Sequence, residues 1–462
     1  MIEAEGLNAN RQALLAVIAG LPVISLGCMF GWPITVKHEI TCHNDPIKNI
    51  TLMQNSWMVA IFHVGAFISP MIVTNLMDYV GRKHTLLILT LLPLMSWIIL
   101  LFASHVNMFY IGRFLGGLWG GTIPIVAPVY IAEVTGPKLR DFLTTVFLTS
   151  TLAGVFIDFV GVNYTTYCVL TALGFLITFC FVLCFWFMPA SPDWLAKNGY
   201  IDEASDSLTW LKGSYVPLDM VEQEILNLNL GTYEATQDLS HIKDFFSNKG
   251  RRRAFITLQL LALAQTWSGI AEIVPFIHAI VPDSAVKPFE TILSIEDYKL
   301  VFGTVILLFT FLNKYCINFW NRKLLLQISM VGGGIGTFFI GLWNFLKREK
   351  DLYVDEYSWV MALGLITYFL CIIIGIGTLT QLKEMFSVND RILIVRCTVM
   401  TISLASCISN MLYLPISTYF GLYFNFWIYT IYSAISAVFV QLYMIETKGK
   451  TLQEIYEELE SK

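Results

Sequence analysis

The sequence predicts an all-α membrane protein: twelve transmembrane helices in two pseudo-symmetric six-helix bundles, with a short intracellular helical segment between them. Three observations carry this. The 462 residues are 56% hydrophobic and only 14% charged, with mean hydropathy +0.65, too apolar to hide in one soluble core. Twelve apolar segments each approach the roughly 20 residues that cross a hydrocarbon layer. Charged features of the first half also return at matching places in the second.

In chain order the segments lie near 14–36, 55–77, 84–104, 107–133, 141–160, 166–188, 254–280, 298–320, 323–346, 357–382, 391–415 and 418–444. The first follows a stretch whose only basic residue is Arg11 and runs on past a signal-peptide core, so it reads as a span. Gly31-Trp32-Pro33 breaks it, and Pro33 leaves a backbone carbonyl in need of a partner. Breaks of this kind sit beside transport cavities or at the interface, which makes Trp32 a candidate for lining a solute site.

Between the sixth and seventh spans the polar stretch 189–253 carries Leu208, Leu211, Val221, Ile225 and Leu228 at helical intervals, the pattern of short amphipathic helices on a membrane surface. The expected domains are 1–188, a linker at 189–253, 254–445, and a cytoplasmic tail at 446–462. In that tail Leu452, Ile455, Tyr456 and Leu459 share one helical face, which suggests docking at the inner surface.

Lys and Arg fix the orientation. With both termini in the cytoplasm most of the 29 fall inside, against Lys37, Lys48, Lys287, Lys299, Lys347, Arg348 and Lys350 outside and Arg113 and Lys314 within spans. The cluster Lys249, Arg251, Arg252, Arg253 reads as part of this signal rather than as a nucleic-acid patch. A net charge of -5 implies no charged macromolecular partner. Most of the nine cysteines lie inside spans as small apolar residues; Cys42 and Cys168 fall at outer positions where they can pair. No metal spacing, phosphate-binding loop or soluble catalytic domain is present, so neither an enzyme nor a cofactor is expected. Asn49-Ile50-Thr51 and Asn163-Tyr164-Thr165 are glycosylation sequons on the outer side.

The repeat is charged. Asp78-Tyr-Val-Gly81-Arg82-Lys83 joins spans two and three, and Asn318-Phe-Trp-Asn-Arg322-Lys323 joins spans eight and nine. Glu133 and Arg140 lie seven apart between spans four and five, as do Glu384 and Arg391 between spans ten and eleven. A six-plus-six duplication is a transporter plan, with the solute held near the midplane between the halves. Gly81 permits a tight turn beside a neighbouring helix, while Arg82 and Lys83 anchor it at the headgroups. Asp78, Arg82, Glu133, Arg140, Glu384 and Arg391 are expected to form an ionic latch that closes the inner face in one of two states.

"DYVGRK", "RFLGG" at 113–117, "PVYIAE" at 128–133, "KLR" at 138–140 and "ETKGKTL" at 446–452 resemble the sugar porter family of the major facilitator superfamily. "SLGCMFGW" at 25–32 and "WLKG" at 210–213 are similar to its insect facilitated trehalose transporter-like members. The resemblance implies the major facilitator fold and a sugar held by amides on spans five, seven and eight and a tryptophan on span ten. Amides suit sugar hydroxyls because they both donate and accept.

The chain departs from that set. The family's Gln-Gln-x-Ser-Gly-Ile-Asn reads Gln265, Thr266, Trp267, Ser268, Gly269, Ile270, Ala271, the span-five glutamine falls on Leu148, and the span-eight asparagine falls near Ile306. "GIGTLTQL" at 375–382 replaces Gly-Pro-x-Pro-Trp, so weak binding of ordinary glucose is expected. The family's Pro-Glu-Ser-Pro-Arg-Trp-Leu reads "PASPDWL" at 189–195, which predicts a looser inner gate.

New polar groups stand at depth. Glu272 is an acid inside span seven, where an isolated charge costs at least about 2.5–3.5 kcal/mol, so it faces a cavity, finds a partner such as Asn313 or Lys314, or stays neutral. Asp158 reads as a headgroup-level residue, and His63 and His278 as packing histidines. Gln265, Thr266, Glu272, Trp32 and Asn410 are the substrate-binding candidates. Three functions stay open: a plasma-membrane facilitator of a sugar or related polar solute, a transporter-fold sensor that translocates little, and a proton-coupled symporter using Glu272.

Overall fold

A computed structural model describes residues 9–37, 51–135, 137–213, 245–280, 295–349 and 357–461. The first span is Ala9–Gly31, which tightens into a 3-10 turn at Trp32–Lys37 where Pro33 stops the α-helix. The remaining five of the first half are Leu52–Val80, Arg82–Leu101 with a break at Thr90, Val106–Val134, Pro137–Tyr164 and Tyr167–Trp186. The seventh span starts at Lys249–Gln265. After it come Ile295–Phe319, Arg322–Glu349, Ser358–Gln381, Val388–Tyr419 and Leu422–Tyr443. Ten helices are long and apolar enough to cross a membrane, and the shorter apolar helices Val146–Val162 and Gly303–Phe319 fill the fifth and eighth places. The fold is the predicted one of twelve membrane helices, without a strand among the described residues.

Burial follows solvent. Ile431, Ile435, Val438 and Leu442 on the last span are exposed at helical spacing, the stripe that faces lipid. The opposite faces pack on other helices, and the backbones approach closely where side chains are missing. Gly27 on the first span and Gly154 on the fifth meet so tightly that a Cβ on either would strike the partner's backbone.

The halves meet along two seams, the second span on the eleventh and the fifth on the eighth. We call the end carrying Lys249 to Arg253 the basic rim and the opposite end the far rim. At the far rim Ile34, Val59, Phe159 and Val162 of the first half join Ile273, Phe276, Ile277 and Ile280 of the second in one buried apolar cluster. Ser56 Oγ donates to the Asn410 carbonyl across the same seam at 2.5 Å.

In the segment after the sixth span, helices Pro192–Lys197 and Ile201–Lys212 bury Leu208 and Leu211 as the spacing predicts; Val221, Ile225 and Leu228 lie outside the described residues. The tail forms the helix Leu452–Ser461, opened by a reciprocal cap between Thr451 and Glu454. It docks as expected, with Ile455 and Leu459 in the core around Phe245 and Leu258. Arg253 donates to the Leu459 carbonyl, the Gly250 amide to Glu460, and Tyr456 to the Met385 carbonyl at 2.9 Å. Cys168 is disulfide-bonded; Cys42 and Asn49 lie outside the described residues, as do the side chains of Asn163 and His278.

Candidate functional site

The opening turn of the repeat is built around Gly81, whose φ of 86° is the left-handed region. A Cβ there would also lie 3.0 Å from the Trp194 ring. Arg82 follows, and it does not reach the headgroups. It is 9% exposed, with Nε donating to Glu133 Oε1 at 2.9 Å and Nη1 to Asp78 Oδ1 at 3.3 Å. A counter-charge at the end of the fourth span holds the guanidinium inside. Ser191 Oγ donates to the other Glu133 oxygen at 2.6 Å while capping the helix Pro192–Lys197. Ala190 and Asp193 have replaced the family's charged pair, yet this serine still ties the segment down.

The second half does the same work with other residues. Lys83 Nζ donates to the Trp186 carbonyl at the end of the sixth span, and Lys323 Nζ to the Gln441 carbonyl at the end of the twelfth. Trp194 Nε1 donates to the carbonyl of Asp78, and Lys448 Nζ to that of Asn318. Glu446 accepts from the backbone amides of Arg322 and Lys323, where the helix dipole favours an anion. Arg322 Nη1 donates to Thr447 Oγ1, and Arg391 Nε to the Phe386 carbonyl. The side chains of Arg140 and Glu384 fall outside the described residues. None of the bonds described for the latch residues crosses between halves.

Inside the first half, Arg113 occupies the break in the first span. Its Nη1 donates at 2.5 Å to the Met29 carbonyl, four residues before Pro33 and so deprived of its helical donor, and its Nε donates to the Met58 carbonyl at 3.2 Å. The guanidinium lies over Trp32 and Phe62. Trp32 is packed in this core against Phe109 and Tyr167. Asp158 is turned into the bundle rather than outward: it is 2% exposed and faces Arg113, its Oδ2 where only a residue without a side chain, Gly31, leaves room. His63 packs between Phe30 and Phe62, as a packing histidine should.

The seventh span breaks too. After Gln265 it loosens into a π-turn over Thr266–Ile270, with Gly269 at φ 107° against the Tyr429 ring. The unbroken helix expected over 254–280 fails at this glycine. Gln265 Nε2 donates to the Ile372 carbonyl at 3.1 Å while its Oε1 finds no partner. Thr266 Oγ1 donates to the Ala262 carbonyl in its own helix, and Asn410 Nδ2 to that of Ser406. Glu272 is 0% exposed and neither carboxylate oxygen has a hydrogen-bond partner. Asn313 instead donates to the Ile373 carbonyl, and the Lys314 side chain lies outside the described residues. The hydroxyls of Tyr368 and Tyr413 and of Ser329 are likewise buried and unpartnered. The sequence reading missed these tyrosines; the signal available was a phenol deep in a span, which needs a partner for its hydroxyl.

Two six-span halves meeting along paired seams, with polar groups stranded between apolar helices, define a membrane transporter rather than an enzyme. The family model "Sugar (and other) transporter" matches residues 19–459, and the chain belongs to that family. It is 27% identical over 459 residues to a facilitated trehalose transporter Tret1 of Apis mellifera ligustica, covering 98% of this chain and 89% of that one. It is 26% identical to the sugar transporter ERD6-like 6 of Arabidopsis thaliana, over 96% and 91%. The inward open conformation of the xylose transporter XylE from E. coli superimposes with TM-score 0.75 at 19% identity, covering 97% and 98%. The proton:xylose symporter XylE bound to 6-bromo-6-deoxy-D-glucose gives 0.70 at 19%, over 98% and 100%. These structures share the major facilitator fold.

Proposed function

We propose that the protein carries a sugar or related polar solute across the plasma membrane by facilitated diffusion, with both termini in the cytoplasm and the two six-span halves alternating about a central site. One observation carries this reading. The far rim is closed by an apolar cluster shared between the halves, whereas the bonds described for Arg82, Glu133 and Glu446 at the basic rim stay within one half and Arg396 reaches across to Thr74 with a long 3.4 Å bond, so the halves can part there at small cost. Gln265, Glu272 and Asn410 carry buried acceptors without partners and are the residues that would meet the solute; Trp32 and Thr266 shape the helix breaks around them. Asp78, Arg82, Glu133 and Arg322 with Glu446 hold each half rigid, and Arg140, Glu384 and Arg391 complete the latch when the basic rim closes.

The relatives named for trehalose and xylose set the panel to test. Protein in proteoliposomes preloaded with unlabelled trehalose, xylose or glucose is expected to accumulate the same labelled sugar by counterflow without an imposed gradient. Failure of the whole panel, and of glucosamine added to it, to exchange would refute transport and leave the sensor. A second reading, proton symport, rests on the buried acids Glu272 and Asp158. It requires that sugar entry acidify the vesicle lumen, which the facilitator does not do.

A further inference from the structure

The loss of family amides is offset by a different set of buried groups on spans seven, ten, eleven and twelve. Glu272 is fully buried with both oxygens unpartnered, and no salt bridge among the described residues reaches it. The phenol groups near enough to feel its charge are those of Tyr368, Tyr413 and Tyr429. The hydroxyls of Tyr368 and Tyr413 are also without partners. Phe276, one turn beyond Glu272, stacks on Tyr413 at 4.7 Å and closes the side toward the far rim. Ser268 and Ser409 approach Tyr368 and Glu272 as hydrogen-bonding neighbours without completing a bond of full geometry, and being neutral they supply no counter-charge.

A neutral sugar hydroxyl would satisfy the phenols but leave the acid without a counter-charge. A cation would satisfy both: it pairs with the carboxylate through charge-assisted hydrogen bonds and is attracted by electron-rich ring faces. One acid with two phenol hydroxyls offers too few oxygens for a hard metal ion, which takes six or more, and suits an ammonium. Gln265, with a free Oε1 seven residues earlier in the same span, is left to accept from a hydroxyl. We propose that Glu272, Tyr368 and Tyr413 bind the ammonium group of an amine-bearing polar solute, an amino sugar being the simplest case. This inference rests on the transport function proposed above.

The test compares glucosamine, N-acetylglucosamine and glucose in counterflow by proteoliposomes, together with ligand-induced thermal shifts of the full chain in detergent. N-acetylglucosamine keeps the ring and loses the charge. Glucosamine is expected to exchange at least about tenfold better than either neutral sugar, as a charge-assisted contact implies. Glu272→Gln, which keeps the shape, should abolish that preference, and Tyr413→Phe and Tyr368→Phe should each reduce it. Neutral sugars exchanging as well as glucosamine, or a preference that survives Glu272→Gln, would overturn the site while leaving transport intact. Thermal shifts by glucosamine that vanish in Glu272→Gln, with no counterflow of any sugar, would uphold the site and overturn transport. Lumen acidification by neutral sugars that Glu272→Gln removes would hand the acid to a proton and overturn the proposal. The absence of both binding and exchange would overturn site and transport together.

Discussion

Arg113 shows how a single side chain repairs a backbone. Pro33 removes the donor that the Met29 carbonyl would have had, and the guanidinium supplies it while also serving the Met58 carbonyl and facing Asp158. Replacing it with leucine strands two carbonyls and leaves a buried acid without its cation, a change of the kind that costs about 3–5 kcal/mol. Arg113→Leu is therefore expected to lower the melting temperature in detergent sharply, and Asp158→Asn much less; equal melting of both proteins would exclude this role. The sequence announced the break, because Gly31-Trp32-Pro33 can be read directly. It did not announce the repair, since the partner lies 84 residues from Met29. The inward turn of Asp158 was hidden for a related reason: it follows from the packing of Arg113 and Gly31, not from its position along an apolar run.

At the scale of elements, the turns between spans two and three and between spans eight and nine perform one task with different atoms. The duplication was legible in Arg82 and Arg322, 240 residues apart, and in the lysines that follow them. What replaces each lost partner was not. Glu446 works through backbone amides, which have no letter of their own, and Ser191 substitutes for charges by reaching Glu133 with a hydroxyl. Ser191→Ala should cost about 1–3 kcal/mol by leaving a carboxylate oxygen without its donor, seen as a lower melting temperature. Glu133→Gln alone should cost more, because it also removes the counter-charge of Arg82, and in that background Ser191→Ala should add less than it costs alone; strictly additive losses would show that the Ser191 contact is unimportant. Gly154→Leu should prevent the first and fifth spans from closing at Gly27 and yield protein that is not monodisperse on size exclusion, whereas Gly333→Ala, where a Cβ meets only ordinary contacts from 3.5 Å outward, should be tolerated.

For the whole molecule the consequential division is between contacts inside a half and contacts across the seams. The apolar cluster of Ile34, Val59, Phe276 and Ile277 and the Ser56 bond to Asn410 belong to the second kind. Joining the seam covalently with Ser56→Cys and Asn410→Cys should stop counterflow under oxidising conditions and restore it on reduction. Undiminished exchange by the oxidised, cross-linked protein would mean that the far rim need not open. Twelve spans and their pairing in two halves followed from hydropathy and repetition, because lipid forces every span to satisfy its own backbone. The proposed solute site did not, since its polar atoms come from four helices and its bend from the backbone of one glycine, Gly269.

The docked tail adds a constraint of timing. Ile455 and Leu459 fill the core formed by Phe245, Leu258 and Met385, so the basic rim of the second half is finished only when the helix Leu452–Ser461 folds back onto a span made some 200 residues earlier. Until then that rim exposes apolar surface to solvent. A chain cut before Leu452 should consequently be inserted normally but cleared by cellular quality control, and its half-life beside that of the full chain measures how much assembly waits on the last helix.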